Sequence, residues 1–256
     1  MIDLHSHILP GIDDGARSLD DAIAMAQLAV EDGVRVLAAT PHVRVDYPTS
    51  AAQMEREVSA LRTSLDAAGV EIELLTGGEI AIERLDLLDA SELRRFGLGG
   101  SPAYVLLEFP YDGWPLTLPS VALGLRSRGI TPVIGHPERN RHVQEDPERL
   151  RPIALTGALM QLTAASVDGR LGRRSRTASF ELLDQGLAHL IASDAHMPGI
   201  RGVGLRAAVE AVGDPALAAW LTEEVPAAIV AGEPPPPRPP PSRRPSFIRS
   251  FLRPVR

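Results

Sequence analysis

Five histidines and four carboxylates of this 256-residue chain recur at one kind of place in its pattern, just after an apolar, β-rich run. The opening stretch "MIDLHSHILPGIDDGA" carries His5 and His7, then Asp14 in a turn bracketed by Gly11 and Gly15. Strand alternation puts Asp3, His5 and His7 on one face, with Ile2 and Leu4 on the other. Further on, "LAATPH" ends in His42, "ELLTGGEI" holds Glu79, and "VLLEFP" holds Glu108 inside an apolar run. "VIGHPERN" holds His136 and Arg139, and "LIASDAH" ends in Asp194 and His196. Taken singly, a strand-end histidine reads as a hydrogen-bonded structural group and Asp14 as a turn residue. Glu108 resists that explanation, because an unpaired carboxylate in an apolar strand is costly. Nine such groups at the same end of six strands read as a metal cluster.

Nitrogen and oxygen donors without sulfur suit manganese, zinc or iron and disfavour calcium. Nine exceed the needs of one ion. A multinuclear centre with a carboxylate bridging ions about 3.5–4 Å apart activates water and clamps a phosphoryl group. Arg139, beside His136, suits phosphate oxygens through its guanidinium fork. The competing role for Arg139 is a salt bridge to Glu138 or a neighbouring acid.

The elements that must position these residues follow from periodicity. Strands are expected at 2–7, 34–40, 71–76, 103–109, 131–135, 159–163 and 187–193, with helical segments between them. Ser18 reads as the N-cap of "LDDAIAMAQLAVEDG", with Asp20 and Asp21 in the first turn and Gly33 closing it. Met54, Val58, Leu61 and Leu65 form one apolar helical stripe. Seven β-then-α units predict a parallel, barrel-like α/β fold, in which functional groups gather at the C-terminal ends of the strands. The run "QLTAAS" offers no strong ligand at the sixth strand end.

Composition narrows the chemistry. There is no cysteine, so disulfides, thiolate ligands and a cysteine nucleophile are excluded. All 26 basic residues are arginine, which excludes lysine chemistry. Residues 233–256 hold six arginines and one glutamate, leaving −12 for the rest of a chain whose total is −7. An acidic body argues against nucleic-acid binding. No signal-peptide pattern and no membrane-length apolar run is seen, so a cytoplasmic protein is expected. The domain is expected to span 1–231. The segment 232–256, rich in proline and arginine, is expected to be a disordered tail. A sharper expectation for Phe247, Ile248, Phe251 and Leu252 beside Arg249 and Arg253 is docking on an anionic membrane or an acidic partner.

Together, "DLHSHILPGIDDGA", "ATPH", "GGEI", "LLEFP", "GHPER" and "IASDAH" resemble the PHP (polymerase and histidinol phosphatase) superfamily. In order and spacing they resemble most its bacterial manganese-dependent protein tyrosine phosphatases of capsule and exopolysaccharide operons. The resemblance covers about residues 1–225. It implies a distorted (β/α)7 TIM-like barrel, the PHP fold, holding a cluster of three Mn2+ ions, with Zn2+ or Fe as the other options. It assigns His5, His7, Glu79 and Asp194 to one ion, Glu79, Glu108 and His136 to a second, and Asp14, His42 and His196 to the third. It maps phosphate binding to Arg139 and Arg201, and implies a phosphotyrosine-bearing partner, a cognate bacterial tyrosine kinase. Two positions depart from the family pattern, Met197 and Val43. The rival expectations are a small-molecule phosphomonoesterase of the histidinol-phosphatase kind, a PHP-type nuclease, and a non-catalytic metal-binding scaffold.

Overall fold

A computed structural model describes residues 1–197 and 202–240. Among the described residues are nine strands: β1 (Ile2–Ser6), β2 (Val36–Ala39), β3 (His42–Val43), β4 (Glu73–Leu75), β5 (Glu79–Ala81), β6 (Tyr104–Glu108), β7 (Thr131–Gly135), β8 (Leu159–Thr163) and β9 (Leu190–Ala192). They form two sheets, ordered β1-β2-β4 and β3-β5-β6-β7-β8-β9, and every strand pair is parallel. Strands such as β7 and β8 are buried at every residue, which is why they read as unbroken apolar runs rather than alternating ones.

All seven expected strands are present, and two short strands that were not expected, β3 and β5, follow the second and third after a break in the chain direction. Pro41, between β2 and β3, has no N–H to continue a ladder. Gly77 and Gly78 lie between β4 and β5, where a Cβ at Gly78 would stand 2.6 Å from the Phe96 ring. The break moves β3 and β5 into the second sheet, where His42 and Glu79 become direct cross-strand neighbours. The same register pairs Ala81 with Glu108, and Glu108 with Gly135. At the other margin, an isolated parallel bridge joins Ser6 to Ala195. His7 N donates to Ala195 O at 2.8 Å, and Asp194 N to His5 O at 2.9 Å.

The helices cover these strands as their sequences predict. Ser18 caps Leu19–Asp32 by accepting from Asp21 N at 3.1 Å, and Gly33 closes it in the left-handed region at φ 95°. Ala51–Ala67 buries Met54, Val58, Leu61 and Leu65. No helix among the described residues is long and apolar enough to cross a membrane.

The last described helix, Val225–Ala231, ends where the domain was expected to end. In the proline segment after it, Glu233, Pro236 and Arg238 bond to the body. Tyr104 donates its hydroxyl to Glu233 O at 2.6 Å, Trp220 Nε1 donates to Pro236 O at 3.0 Å, and Arg238 Nη2 donates to Leu183 O at 2.6 Å. A segment unable to join a helix or sheet is thus held by side-chain bonds in both directions, its Glu233 and Pro236 carbonyls accepting from the body and its Arg238 donating to it. Arg201 and the Phe247–Leu252 pattern lie outside the described residues.

Candidate metal centre

The C-terminal ends of the strands bring all nine predicted donors into one network. His5 Nε2 lies 3.3 Å from His7 Nε2, 3.4 Å from Asp194 Oδ1 and 3.6 Å from Glu79 Oε2. His7 Nε2 is 3.4 Å from Glu79 Oε2 and 3.5 Å from Asp194 Oδ1. Asp14 Oδ1 is 3.4 Å from His42 Nε2 and 3.3 Å from His196 Nε2. His42 Nδ1 approaches Glu79 Oε2 at 2.9 Å and Glu108 Oε2 at 3.8 Å. His136 Nε2 donates to the other oxygen of Glu79, Oε1, at 2.8 Å. Asp14 is the most open of the nine, with its side chain 42% exposed.

Hydrogen bonding at the far nitrogens fixes what the near ones offer. His5 Nδ1 donates to Gln161 Oε1 at 2.8 Å, and His7 Nδ1 donates to Asp13 Oδ2 at 2.7 Å. In neutral imidazoles that leaves both Nε2 atoms as lone pairs, aimed at each other and at two carboxylate oxygens. Four electron-rich atoms converging in a buried space require positive charge among them, from protons on the rings or from a metal cation. Glu79 Oε2, a member of this group, is buried, and its 2.9 Å approach to His42 Nδ1 is an ion-pair contact without hydrogen-bond geometry.

The charge balance leads to the same place. Among the described residues, the guanidiniums seen paired with Asp13, Asp14, Glu79, Glu108 and Asp194 are those of Arg44, on Glu108, and Arg139, on Asp194. Without cations the histidines must take up protons. Burial opposes protonation of His7, but Asp13 and the other carboxylates around it carry its pKa well above the usual histidine range. The His42 ring, likewise disfavoured by burial as a cation, is pushed up to about 9 by Asp14 and Glu79. Glu79 is held well below the usual carboxylate range by His5, His136 and His42 in spite of its burial. Burial and the nearby Glu79 raise Glu108. Divalent cations fit this donor set, and three clusters satisfy ligand spacing: His7, Asp14, His42 and His196; His5, His7 and Glu79; and His42, Glu79 and Glu108. Of the predicted donors, His136 and Asp194 fall outside these clusters and join them by contact, His136 with Glu79 and Asp194 with His5 and His7.

Two of the predicted donors sit on strained backbone. His136 (φ 39°) and Asp194 (φ 52°) are the only non-glycine residues at positive φ among those described. Such conformations cost of order 1–3 kcal/mol each and persist where the surroundings impose them. Here they turn the side chains that follow β7 and β9 into the mouth.

Arg139 pairs with Asp194, its Nη1 donating to Oδ2 at 2.7 Å, rather than with Glu138. Glu138 is buried and accepts from Thr163 N at 3.1 Å, tying the turn after β7 to β8. Tyr111 stacks 4.4 Å from the Arg139 guanidinium. Asp3, which alternation put with His5 and His7, instead accepts from Ser193 N at 2.9 Å and from His5 N, and joins none of the three clusters.

Sequence reasoning missed three supporting residues. Asp13 orients His7 and also accepts from His42 N at 3.1 Å, yet next to Asp14 it looks like one more turn aspartate. Gln161 had a usable signal, being a polar side chain within the apolar run "LMQLT", the same anomaly that marked Glu108. Arg44, whose Nη1 donates to Glu108 Oε1 at 2.9 Å, had none.

The family model described as capsular polysaccharide synthesis, CpsB/CapC, matches residues 1–216. Tyrosine-protein phosphatase YwqE of Bacillus subtilis (strain 168) is 36% identical over 197 residues, 77% of each chain. Tyrosine-protein phosphatase CpsB of Streptococcus agalactiae serotype III (strain NEM316) is 25% identical over 208 residues, 78% of this chain and 85% of its own. A chain from the crystal structures of YwqE from Bacillus subtilis and CpsB from Streptococcus pneumoniae, described as unique metal-dependent tyrosine phosphatases, superposes with a TM-score of 0.84. It is 31% identical, and the match covers 94% of this chain and 100% of that one.

Proposed function

The chain belongs to the CpsB/CapC family of capsular polysaccharide synthesis proteins, and on that premise we propose that it is a metal-dependent protein tyrosine phosphatase. Its substrate is phosphotyrosine in a protein, a bacterial tyrosine kinase of capsule or exopolysaccharide synthesis, met in the cytoplasm. The observation that carries this function is the convergence of His5 Nε2 and His7 Nε2 on Glu79 and Asp194, with an arginine bound to the same aspartate. The strand order supports a distorted (β/α)7 barrel, with β2 and β3 as one bent stave, β4 and β5 as another, and the Ser6–Ala195 bridge bringing β1 beside the end of β9.

Three cations, Mn2+ by the family resemblance, fit the donors present. His5, His7, Glu79 and Asp194 would hold one; Glu79, Glu108 and His136 a second; Asp14, His42 and His196 the third. When bound, such ions supply a water acidic enough to act as nucleophile near neutral pH and Lewis-acid contacts to phosphoryl oxygens.

The protein's own groups do the rest. Gln161 and Asp13 hold the His5 and His7 rings in the tautomer that presents Nε2 inward. Asp194 and the Tyr111 ring restrain the Arg139 guanidinium, whose other N–H groups are suited to the non-bridging phosphate oxygens. Arg201 is the second phosphate-binding arginine in this proposal. With no cysteine in the chain, hydrolysis proceeds without a phosphocysteine intermediate.

The test is side-by-side kinetics of the purified protein on a phosphotyrosine peptide and on histidinol phosphate, with metal content measured in the same samples. Faster hydrolysis of the peptide by metal-loaded protein is expected. Preference for histidinol phosphate would make it a small-molecule phosphatase, and no turnover of either ester by loaded protein would make it a scaffold.

A further inference from the structure

Beside the metal centre a cleft of about 900 Å³ opens from Arg44 and Glu108 and runs along the helix Leu118–Ser127. Its helix wall is Thr117, Val121, Gly124, Leu125 and Arg128, positions spaced as one face of a helix. Ile82 and Leu85 line it across from that face. Eleven residues of helix rise about 16 Å, a length that about five extended residues cover. Glu108 belongs both to this cleft and to the donor network, so the two are continuous.

Two features separate the cleft from an ordinary packing defect. Large apolar side chains stand open around it: Val45, which lines it, is 73% exposed, and Leu87 and Leu116, next to the lining residues Asp86 and Pro115, are 67% and 84% exposed. Gly124 occupies a helix interior, where glycine costs about 1 kcal/mol relative to alanine, yet a Cβ there would meet nothing within 4 Å. Internal packing therefore does not require the glycine. Its absent side chain leaves the helix backbone open to a chain lying in the cleft.

We propose that this cleft binds an extended segment of the substrate protein on one side of the phosphotyrosine, with apolar side chains facing Val121, Gly124 and Leu125. This rests on the phosphatase function proposed above and adds a substrate class to it. A phosphotyrosine seated at the cations must carry its polypeptide away across the mouth, and the cleft leads directly from Glu108. Asp46, Glu83 and Asp86 also line the cleft, but its apolar stretch of Ile82, Leu85, Val121 and Leu125 selects leucine, valine or aromatic neighbours over serine, by about tenfold for each well-buried side chain.

The test compares free phosphotyrosine with phosphotyrosine peptides in which the four residues before it, or the four after it, are apolar or serine. The metal-loaded wild-type protein is expected to prefer one apolar set by about tenfold or more in kcat/KM. Gly124→Leu and Gly124→Trp fill the cleft without an internal clash and replace a weak helix former, so their melting temperatures should be unchanged or raised. Both should abolish the preference while turnover of free phosphotyrosine stays within about twofold of wild type. Hydrolysis of free phosphotyrosine with no flank preference, or a preference that survives Gly124→Trp, would overturn this inference and leave the phosphatase function standing. Failure to hydrolyse free phosphotyrosine would overturn both. A wild-type oligomer that dissociates on Gly124→Trp would also overturn it, by showing the cleft to be a contact between copies.

Discussion

Asp13 Oδ2 lies 2.7 Å from His7 Nδ1, and the same oxygen accepts from His42 N at 3.1 Å. One carboxylate that is itself outside the three donor clusters thus holds two of their histidines in place. Its other oxygen accepts from Gly15 N at 3.0 Å, so the turn that carries Asp14 is pinned by the same side chain. Asp13→Ala should therefore lower metal affinity or activity by about 10–100-fold, the usual effect of losing a partner behind a ligating histidine. Metal content after dialysis, measured with phosphotyrosine-peptide hydrolysis, checks it. Wild-type values for both would show that His7 needs no such support.

Chelation provides a second check. EDTA should abolish turnover, and added Mn2+ should restore it. Because the chain has no cysteine, iodoacetamide should leave the rate unchanged. Activity that persists in fully demetallated protein would contradict hydrolysis through the cations.

Arg139 is separable from the metal donors because it binds Asp194 Oδ2, whereas Oδ1 is the oxygen that faces His5 and His7. Arg139→Ala should retain the metals and lose about 10²-fold in kcat, the scale seen when one donor to developing charge is removed. Arg139→Lys should recover only part of this, because an ammonium does not reproduce the guanidinium fork. Metal loss in Arg139→Ala equal to that of His5→Ala would instead make Arg139 a support for Asp194.

A pH effect on stability should arise away from the centre, at His189. Burial and the nearby Arg238 push its pKa down to about 4. Its Nδ1 accepts from Met160 N at 3.1 Å, a bond that only the neutral ring makes there. The folded pKa lies below the unfolded value, so above about pH 6.5 both states are neutral and the contribution is complete. As pH falls from about 6.5 to 4 the unfolded state binds a proton that the folded state refuses, and stability declines. The loss is of order 1 kcal/mol, since the ring is partly open to solvent. Urea midpoints at pH 7 and pH 5 should fall further apart in the wild type than in His189→Asn, which keeps an acceptor without a titrating ring. Equal differences in the two proteins would assign the effect elsewhere.

The donor set was legible because chemistry leaves marks in apolar surroundings. His5, His7, Glu108 and Asp194 interrupt or end β-rich runs where nothing local explains a polar group, and parallel strands place such endings at one mouth. The strand pattern was equally plain, since a strand covered on both faces must be apolar throughout. The caps at Ser18 and Gly33 follow from local backbone needs and so were readable as well.

What only the folded chain decided depends on partners far apart in sequence. No pattern within "LMQLT" says that Gln161 meets His5, or that Arg139 turns to Asp194 and not to the adjacent Glu138. The unexpected strands β3 and β5, which bring His42 against Glu79, needed Pro41 and the Gly78–Phe96 contact to act together. The proline segment shows the same division: its composition told only what it could not form, while Tyr104, Trp220 and Leu183 determined where residues 233–240 lie. Residue type limits which bonds a side chain can make, and packing selects among them.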